Sequence, residues 1–121
     1  MRKILCTFAA LAFVAAIAAP ALAQTVVKGE LVDHACYTGK GPQAGAGAGH
    51  AACAQACAKK GMQVALVAAD GVYMVAGAIT AESNKALVPH MSHTVELTGA
   101  VSEKEGVKTI TVAANGLKMS K

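Results

Sequence analysis

Five stretches of the chain are typical of β-strands, because each is rich in β-forming residues, forms a short apolar run or alternates apolar and polar residues with a period of two. They span residues 25–33, 63–69, 72–76, 93–102 and 107–113. The pairs Asp70-Gly71 and Glu105-Gly106 mark tight turns after the second and fourth strands. This pattern predicts a mainly β domain that contains two hairpins, and the tail from Asn115 is expected to add a short final strand.

Two helices are predicted between these strands. The first covers residues 50–60, is rich in alanine, carries Lys59 and Lys60 in its last turn and ends at Gly61. The second is short, over residues 82–88, and Pro89 ends it. Residues 39–49, with the sequence GKGPQAGAGAG, lack the flanking elements of a phosphate-binding loop. We expect them to form a mobile linker that leads into the first helix.

The order of these elements resembles the OB-fold, a five-stranded Greek-key barrel with a helix between strands 3 and 4. On this resemblance, residues 24–121 form one small OB-like barrel. A Cys-bearing helical insert, at about residues 34–61, lies between strands 1 and 2, and the short helix lies between strands 3 and 4. The insert then occupies one of the two loops where OB-fold proteins usually hold ligands. Because a fold does not define a function, this resemblance indicates only where to look.

Residues 1–23 have the pattern of a secretory signal peptide. Arg2 and Lys3 precede a long apolar run, and Ala21-Leu22-Ala23 is a cleavage pattern of small residues. The alternative is a retained membrane anchor, which Pro20 and the small residues disfavour. We therefore expect an exported protein, periplasmic or secreted, that is not held in a membrane once Gln24 becomes its first residue.

Removal of this segment changes the charge and the aromatic content. The whole chain has a net charge of +4, whereas the mature chain has nine Lys against seven acidic residues. This excess is too small to indicate a polyanionic partner. The two aromatic residues that are left, Tyr37 and Tyr73, are too few for a nucleic-acid stacking platform. We expect a monomer of one small domain that binds no nucleic acid.

A cluster of cysteine and histidine residues carries the distinctive chemistry of the chain. His50, Cys53 and Cys57 have the spacing i, i+3, i+7, which on a helix places them within an arc of about 60°. Cys36, at the end of strand 1, supplies a third sulfur. His34 lies two residues before it and, on a strand, shares its face. Thiolate and imidazole ligands suit soft or borderline ions, so this set predicts a site for Cu(I) or Zn(II).

Two other interpretations of the cysteines stay open. Three thiols cannot all pair within one monomer, and export favours oxidation. A disulfide from Cys36 to Cys53 or Cys57 closes a loop worth about 3 kcal/mol and makes the domain a stapled module that binds another exported protein. Thiol–disulfide exchange is the third interpretation, but it usually employs a CxxC pair near a helix N-terminus. Neither a Ser-His-Asp set nor an HExxH motif is present, so we expect no catalysis.

A second group of metal-ligand residues is Pro89-His90-Met91-Ser92-His93. Two imidazoles and a thioether are suitable copper ligands. We predict instead a loop that leads into the fourth strand, with exposed histidines and with Met91 packed in the core. The other methionines of the mature chain are expected to fill the core as well: Met62, Met74 and Met119.

The chain also resembles a group of small exported bacterial proteins that begin KGELVDxxCY and carry an HxxCAxxCAKKG helix. The matching residues are 28–33, Cys36 with Tyr37, and 50–61. This resemblance implies that the three cysteines act as one unit, and it implies no particular activity.

Overall fold

The computed structural model describes residues 23–120, except for the side chains of residues 42–44. Its strands are β1 (Gln24–Asp33), β2 (Val64–Ala68), β3 (Gly71–Ala76), β4 (Thr94–Lys104) and β5 (Val107–Met119). The five predicted strands are therefore confirmed, although β5 continues well beyond residue 113. The signal peptide predicted for residues 1–23 lies outside the described residues, apart from Ala23.

The five strands form one mixed sheet. They pair in the order β1-β2-β3-β5-β4, and β1 also pairs with β4, so that the series of pairs closes on itself. The β3–β5 pair is parallel, and the other four pairs are antiparallel. Gly29 lies where β1 passes from β4 to β2, and a Cβ atom there would lie 2.4 Å from the Val67 carbonyl oxygen. Only glycine permits this close approach of the two backbones.

The core lies inside this closed sheet and beneath one helix. The strands contribute alternate residues, as their patterns predict, among them Leu31, Leu66 and Ile110, all fully buried. The helix α2 (Ala51–Lys59) adds Ala54 and Ala58 to the same core. These two residues are four apart, so they form one narrow apolar face that holds α2 on the sheet.

The insert between β1 and β2 contains two helices, whereas the sequence predicts one. The helix α2 matches the prediction for residues 50–60 and follows a short 3-10 turn, Ala48–His50. The additional helix is α1 (His34–Ala44), which has an irregular backbone at Gly41, where φ is 84°. The expectation of a linker starting at residue 39 is therefore wrong for its first half. Asp33 explains why α1 forms, because its side chain caps the helix N-terminus.

The connection between β3 and β4 also differs from the prediction. A helical turn does lie there, at Ala81–Asn84, but it is shorter than predicted, and 3-10 turns flank it at Ala78–Thr80 and Val88–His90. Glu82, Ser83 and Asn84 have left-handed backbone angles, with φ between 54° and 61°. The Asn84 amide Nδ2 donates to the carbonyl oxygens of Ala58 and Met62, each at 3.0 Å. These two bonds fix the turn to the C-terminal end of α2, which explains why it does not continue as a regular helix.

None of the helices within residues 23–120 is both long enough and apolar enough to cross a lipid bilayer.

Candidate metal centre

The strand β1 and the cap of α1 position the first thiol. The β1 strand ends at Asp33, whose Oδ2 accepts a hydrogen bond from the backbone N–H of Cys36 at 2.9 Å. An aspartate cap of this kind stabilises a helix by about 1 kcal/mol. Cys36 therefore lies in the first turn of α1, directly at the end of a strand that pairs on both sides. Its backbone N–H is bonded to the side chain of the last residue of β1, and its own side chain is half-buried.

The helix α2 carries the other two thiols. Its inner face is formed by Ala54 and Ala58, and each cysteine immediately precedes one of these alanines. On a helix, such positions lie beside the buried face and not on it. Cys53 is accordingly exposed and Cys57 is half-buried. Packing of the two alanines thus sets the direction in which both sulfurs point.

A close backbone approach brings α1 and the following loop together. Gly45 is buried, and its N–H donates to the Gly41 carbonyl at 2.9 Å. A Cβ atom at Gly45 would lie 2.5 Å from the Tyr37 Cα and 2.6 Å from the Cys36 carbonyl oxygen. Two residues later, the Gly47 N–H donates to Oε1 of Glu30, on β1, at 3.0 Å. The loop therefore folds back onto Cys36 and β1, and this return leads the chain into α2.

These elements bring the three sulfur atoms into one group. The Sγ atoms of Cys36, Cys53 and Cys57 all lie within 4.8 Å of one another, and all three residues are free thiols. With metal–sulfur bonds of about 2.3 Å, two ligating sulfurs are about 3.8 Å apart in tetrahedral geometry and about 4.0 Å apart in trigonal geometry. The three cysteines are therefore close enough to bind a single metal ion with small side-chain movements.

The Asp33 carboxylate controls the protonation of Cys36. The pKa of this thiol is raised from its ordinary value of 9.0 to about 12. The main cause is a hydrogen bond from the thiol to Asp33, followed by desolvation, by the negative charge of Asp33 and by the neighbouring Cys53. Oδ1 of Asp33 is buried and has no hydrogen-bond partner among the described residues. Cys36 is protonated at neutral pH until a metal ion displaces the proton.

The two predicted histidine ligands lie outside the group of sulfurs. His50 is only 7% exposed, and its Nε2 is buried without a hydrogen-bond partner among the described residues. It lies immediately before α2 and is buried, whereas Cys53 is exposed. His34 is the first residue of α1, and its N–H donates to the Gln63 carbonyl at 3.0 Å. The expectation that His34 and Cys36 share a strand face is wrong, because the strand ends at Asp33.

The second predicted group, around residue 90, is largely as expected. Met91 is fully buried in the core, and His93 is exposed, with its Nδ1 3.1 Å from the Met91 carbonyl oxygen. His90 is half-buried, and its Nδ1 lies 3.0 Å from the sulfur of Met119. The expectation that Met119 fills the core is wrong, because its side chain is 52% exposed near the end of β5. Met62, at 39% exposed, is also outside the core.

Two residues of the site were not predicted from the sequence. Asp33 precedes Cys36 by three positions, which is the spacing of a helix cap to the N–H that it satisfies, so a signal for its role was present. Gly45 has no such signal, because its importance depends on a backbone approach that no local pattern encodes.

No protein-family profile, curated protein or solved structure matches this chain.

Proposed function

We propose that this chain is a small exported protein that binds one soft metal ion through Cys36, Cys53 and Cys57. The observation that carries the proposal is the grouping of three free thiols within 4.8 Å. Three sulfurs from two separate helices thus lie together at one point of the insert. A set of three thiolates is a soft donor set, which favours Cu(I) or Zn(II) over hard cations.

His50 is the fourth ligand in this proposal, and His34 is the weaker candidate. The buried Nε2 of His50 has no partner among the described residues, and an unsatisfied buried nitrogen is costly. A metal ion that draws the sulfurs and this imidazole together removes that cost and completes a tetrahedral Cys₃His site. Without His50, the three sulfurs form a trigonal site, which Cu(I) accepts more readily than Zn(II).

The exposure of the thiols favours a carrier of metal over an enzyme. Cys53 is exposed, and neither of the other two sulfurs is fully buried. Incoming ligands from solvent or from another exported protein can therefore reach the ion. We propose no catalysis, because the carboxylate beside the thiols, Asp33, keeps Cys36 protonated and does not activate it as a nucleophile.

We further propose that the closed sheet is an OB-like Greek-key barrel. The strand order β1-β2-β3-β5-β4, with its parallel β3–β5 pair, supports this assignment. The Cys-bearing insert then occupies the loop between strands 1 and 2, where ligands of such barrels are often held. Export and a monomeric state are also part of the proposal, and both rest on the pattern of the sequence.

The second candidate function is a disulfide-stapled module that binds another exported protein. The same closeness of the sulfurs supports it, because Cys36 can oxidise with a cysteine of α2 after a small movement. Such a bond would tie the insert to the end of β1 and leave one thiol free. Thiol–disulfide exchange is a weaker third candidate. A Cys36 thiol with a pKa of about 12 is a poor attacking group.

Native mass spectrometry of the protein, isolated from an exported source without reductant or chelator, separates these candidates. A mass that exceeds the mass of the polypeptide by one metal ion supports the metal site and identifies the element. This additional mass should disappear after acid denaturation. A metal-free mass lower by two hydrogens establishes the disulfide and rejects the metal proposal for the exported form.

Serine variants test which residues bind the ion. Cys53→Ser and Cys57→Ser should each abolish stoichiometric metal binding, and Cys36→Ser should do the same. Ala52→Ser is the matched control, because it places the same hydroxyl at an exposed position next to Cys53. His50→Gln should lower the affinity and keep the stoichiometry. Wild-type affinity in either the Cys53 or the Cys57 variant contradicts the proposal.

A further inference from the structure

His90 and Met119 bring two potential metal ligands face to face. Nδ1 of His90, in the 3-10 turn Val88–His90, lies 3.0 Å from the sulfur of Met119. The two residues are 29 positions apart, and the fold brings them together because the end of β5 pairs with Val95, at the start of β4. The contact therefore follows from the sheet pairing and not from local sequence.

The thioether of Met119 is unusually available. Within residues 23–120, only four large apolar side chains are exposed: Val26, Met62, Val107 and Met119. Met119 is 52% exposed, so its side chain gains little from burial. Its sulfur nevertheless points at an imidazole nitrogen instead of resting on the apolar surface beside it. An exposed thioether in this arrangement is a ligand that solvent-borne ions can reach.

We propose that His90 and Met119 form a second metal site, specific for a soft monovalent ion of the Cu(I) or Ag(I) kind. Zn(II) in proteins takes Cys, His and carboxylate ligands, and a thioether is not one of them, so the presence of Met119 disfavours Zn(II) at this site. Methionine sulfur selects Cu(I) among the metals of biology. This site shares no residue with the three cysteines and does not depend on them.

The observed geometry needs only a small adjustment to accept the ion. For bonds of about 2.0 Å to nitrogen and 2.3 Å to sulfur, a tetrahedral ion separates the two ligand atoms by roughly 3.5 Å. The methionine side chain has three rotatable bonds and can open by the missing half ångström. Nδ1 and the sulfur already face each other, so an ion placed between them would bind both atoms.

The two metal sites lie on neighbouring elements. The turn Val88–His90 packs against α2, the helix that carries Cys53 and Cys57. Two groups of soft ligands are thus presented by elements that touch each other. The thiols are charged when they bind and hold the ion strongly, whereas the His90–Met119 pair is uncharged and binds it weakly. We therefore expect the second site to fill only after the first.

Titration with Ag(I), which is redox-stable, tests the proposal when the methionine methyl groups carry ¹³C. The NMR signal of the Met119 methyl group is the one that is missing from the spectrum of Met119→Leu. This signal should shift once the thiols are saturated with silver and more silver is added. The buried Met91 methyl should not shift. His90→Gln should weaken the silver affinity of Met119 by at least about tenfold. His93→Gln is the matched control, because His93 is an exposed histidine of the same loop.

The Met119 signal also separates this proposal from the proposal for the cysteines. In the triple variant with serine at positions 36, 53 and 57, the Met119 shift should persist and should occur at the first equivalent. Should that variant fail to fold, the titration of the wild-type protein still reports on Met119 alone. A Met119 methyl that does not shift in excess silver, or that shifts equally in His90→Gln, overturns the proposal.

Discussion

Oδ2 of Asp33 accepts a hydrogen bond from the backbone N–H of Cys36, the thiol that the same carboxylate holds protonated. One side chain thus performs two tasks: it begins α1, and it sets the proton affinity of a ligand. The two tasks are separable, because asparagine also caps helices and carries no charge.

Asp33→Asn should lower the pKa of Cys36 from about 12 towards its ordinary value of 9.0. The thiolate loses a repulsive negative charge, so its population at neutral pH rises by about tenfold for each unit of the fall. The rate at which iodoacetamide alkylates Cys36 in the metal-free protein, followed by peptide mass spectrometry, measures this change. Asp70→Asn, at an exposed turn far along the chain, is the control. An unchanged rate at Cys36 would contradict the assigned role of Asp33.

Metal affinity should rise with pH across the neutral range. Cys36 carries its proton below about pH 12, so binding of an ion must release that proton. Release of one proton makes the apparent affinity increase by about tenfold per pH unit, and more if the other thiols also lose protons. Competition titrations with a chromophoric chelator at pH 6, 7 and 8 measure the slope. A slope of zero would show that Cys36 does not bind as a thiolate.

Gly45→Ala should damage the site without removing a ligand. The new methyl group meets the Tyr37 Cα and the Cys36 carbonyl oxygen at 2.5 and 2.6 Å, so the loop must move away from α1. We expect a destabilisation of about 1–3 kcal/mol and weaker metal binding. Gly39→Ala is the control, because a Cβ atom there meets nothing within 4 Å. Chemical denaturation and metal titration of both variants test the prediction. Equal stability and equal metal affinity of the two variants would refute it.

Asn84→Ala should loosen the C-terminal end of α2. The substitution removes the hydrogen bonds to the carbonyl oxygens of Ala58 and Met62, and Asn84 is only 4% exposed. The Ala58 carbonyl keeps the Gly61 N–H as a donor, but the link from the turn to both carbonyls is lost, so the free energy of unfolding should fall by about 1–3 kcal/mol. Ser83→Ala is the control for backbone strain, since Ser83 also has a positive φ but an exposed side chain. If both variants lose the same stability, the amide contacts are unimportant.

The turn between β2 and β3 should respond to acid. The Tyr73 hydroxyl donates to Oδ2 of Asp70 at 2.6 Å, which lowers the pKa of Asp70 below its ordinary 3.8. A carboxyl whose pKa is lower in the folded state stabilises the fold above pH 3.8, and this contribution is lost as the pH falls through the folded pKa. The stability of Tyr73→Phe should therefore decline less than that of the wild type between pH 5 and pH 2. Parallel declines would exclude the contribution.

The sequence predicts the sheet well because each strand is marked locally, either by an alternation of apolar and polar residues or by a short apolar run next to a turn. Tyr73 and Val75 face the core as their spacing requires, and so does Ile110. The grouping of the cysteines was also predictable, because Cys53 and Cys57 share a helix and Cys36 follows a strand. Local sequence does not indicate which residues from distant parts of the chain come into contact. The approach of Gly45 to Cys36 and the contact of His90 with Met119 both depend on elements that meet only after folding.

The positions of the two histidines, His34 and His50, were also not predictable from local sequence. The spacing of His50 to Cys53 predicts a shared helical face, but α2 begins one residue later and the burial of Ala54 draws His50 inward. For His34, the assumption of a strand fails because Asp33 ends β1 and starts a helix. In both cases the residue type is suitable, and a helix boundary decides where it points.

The three thiols all belong to the segment between β1 and β2, whereas the pairing that closes the sheet involves the strands alone. The strand pairing involves no residue of the proposed metal site, so we expect the metal-free and the metal-bound protein to have the same sheet. On the proposed function, release of one ion and binding of the next would then require no unfolding of the domain.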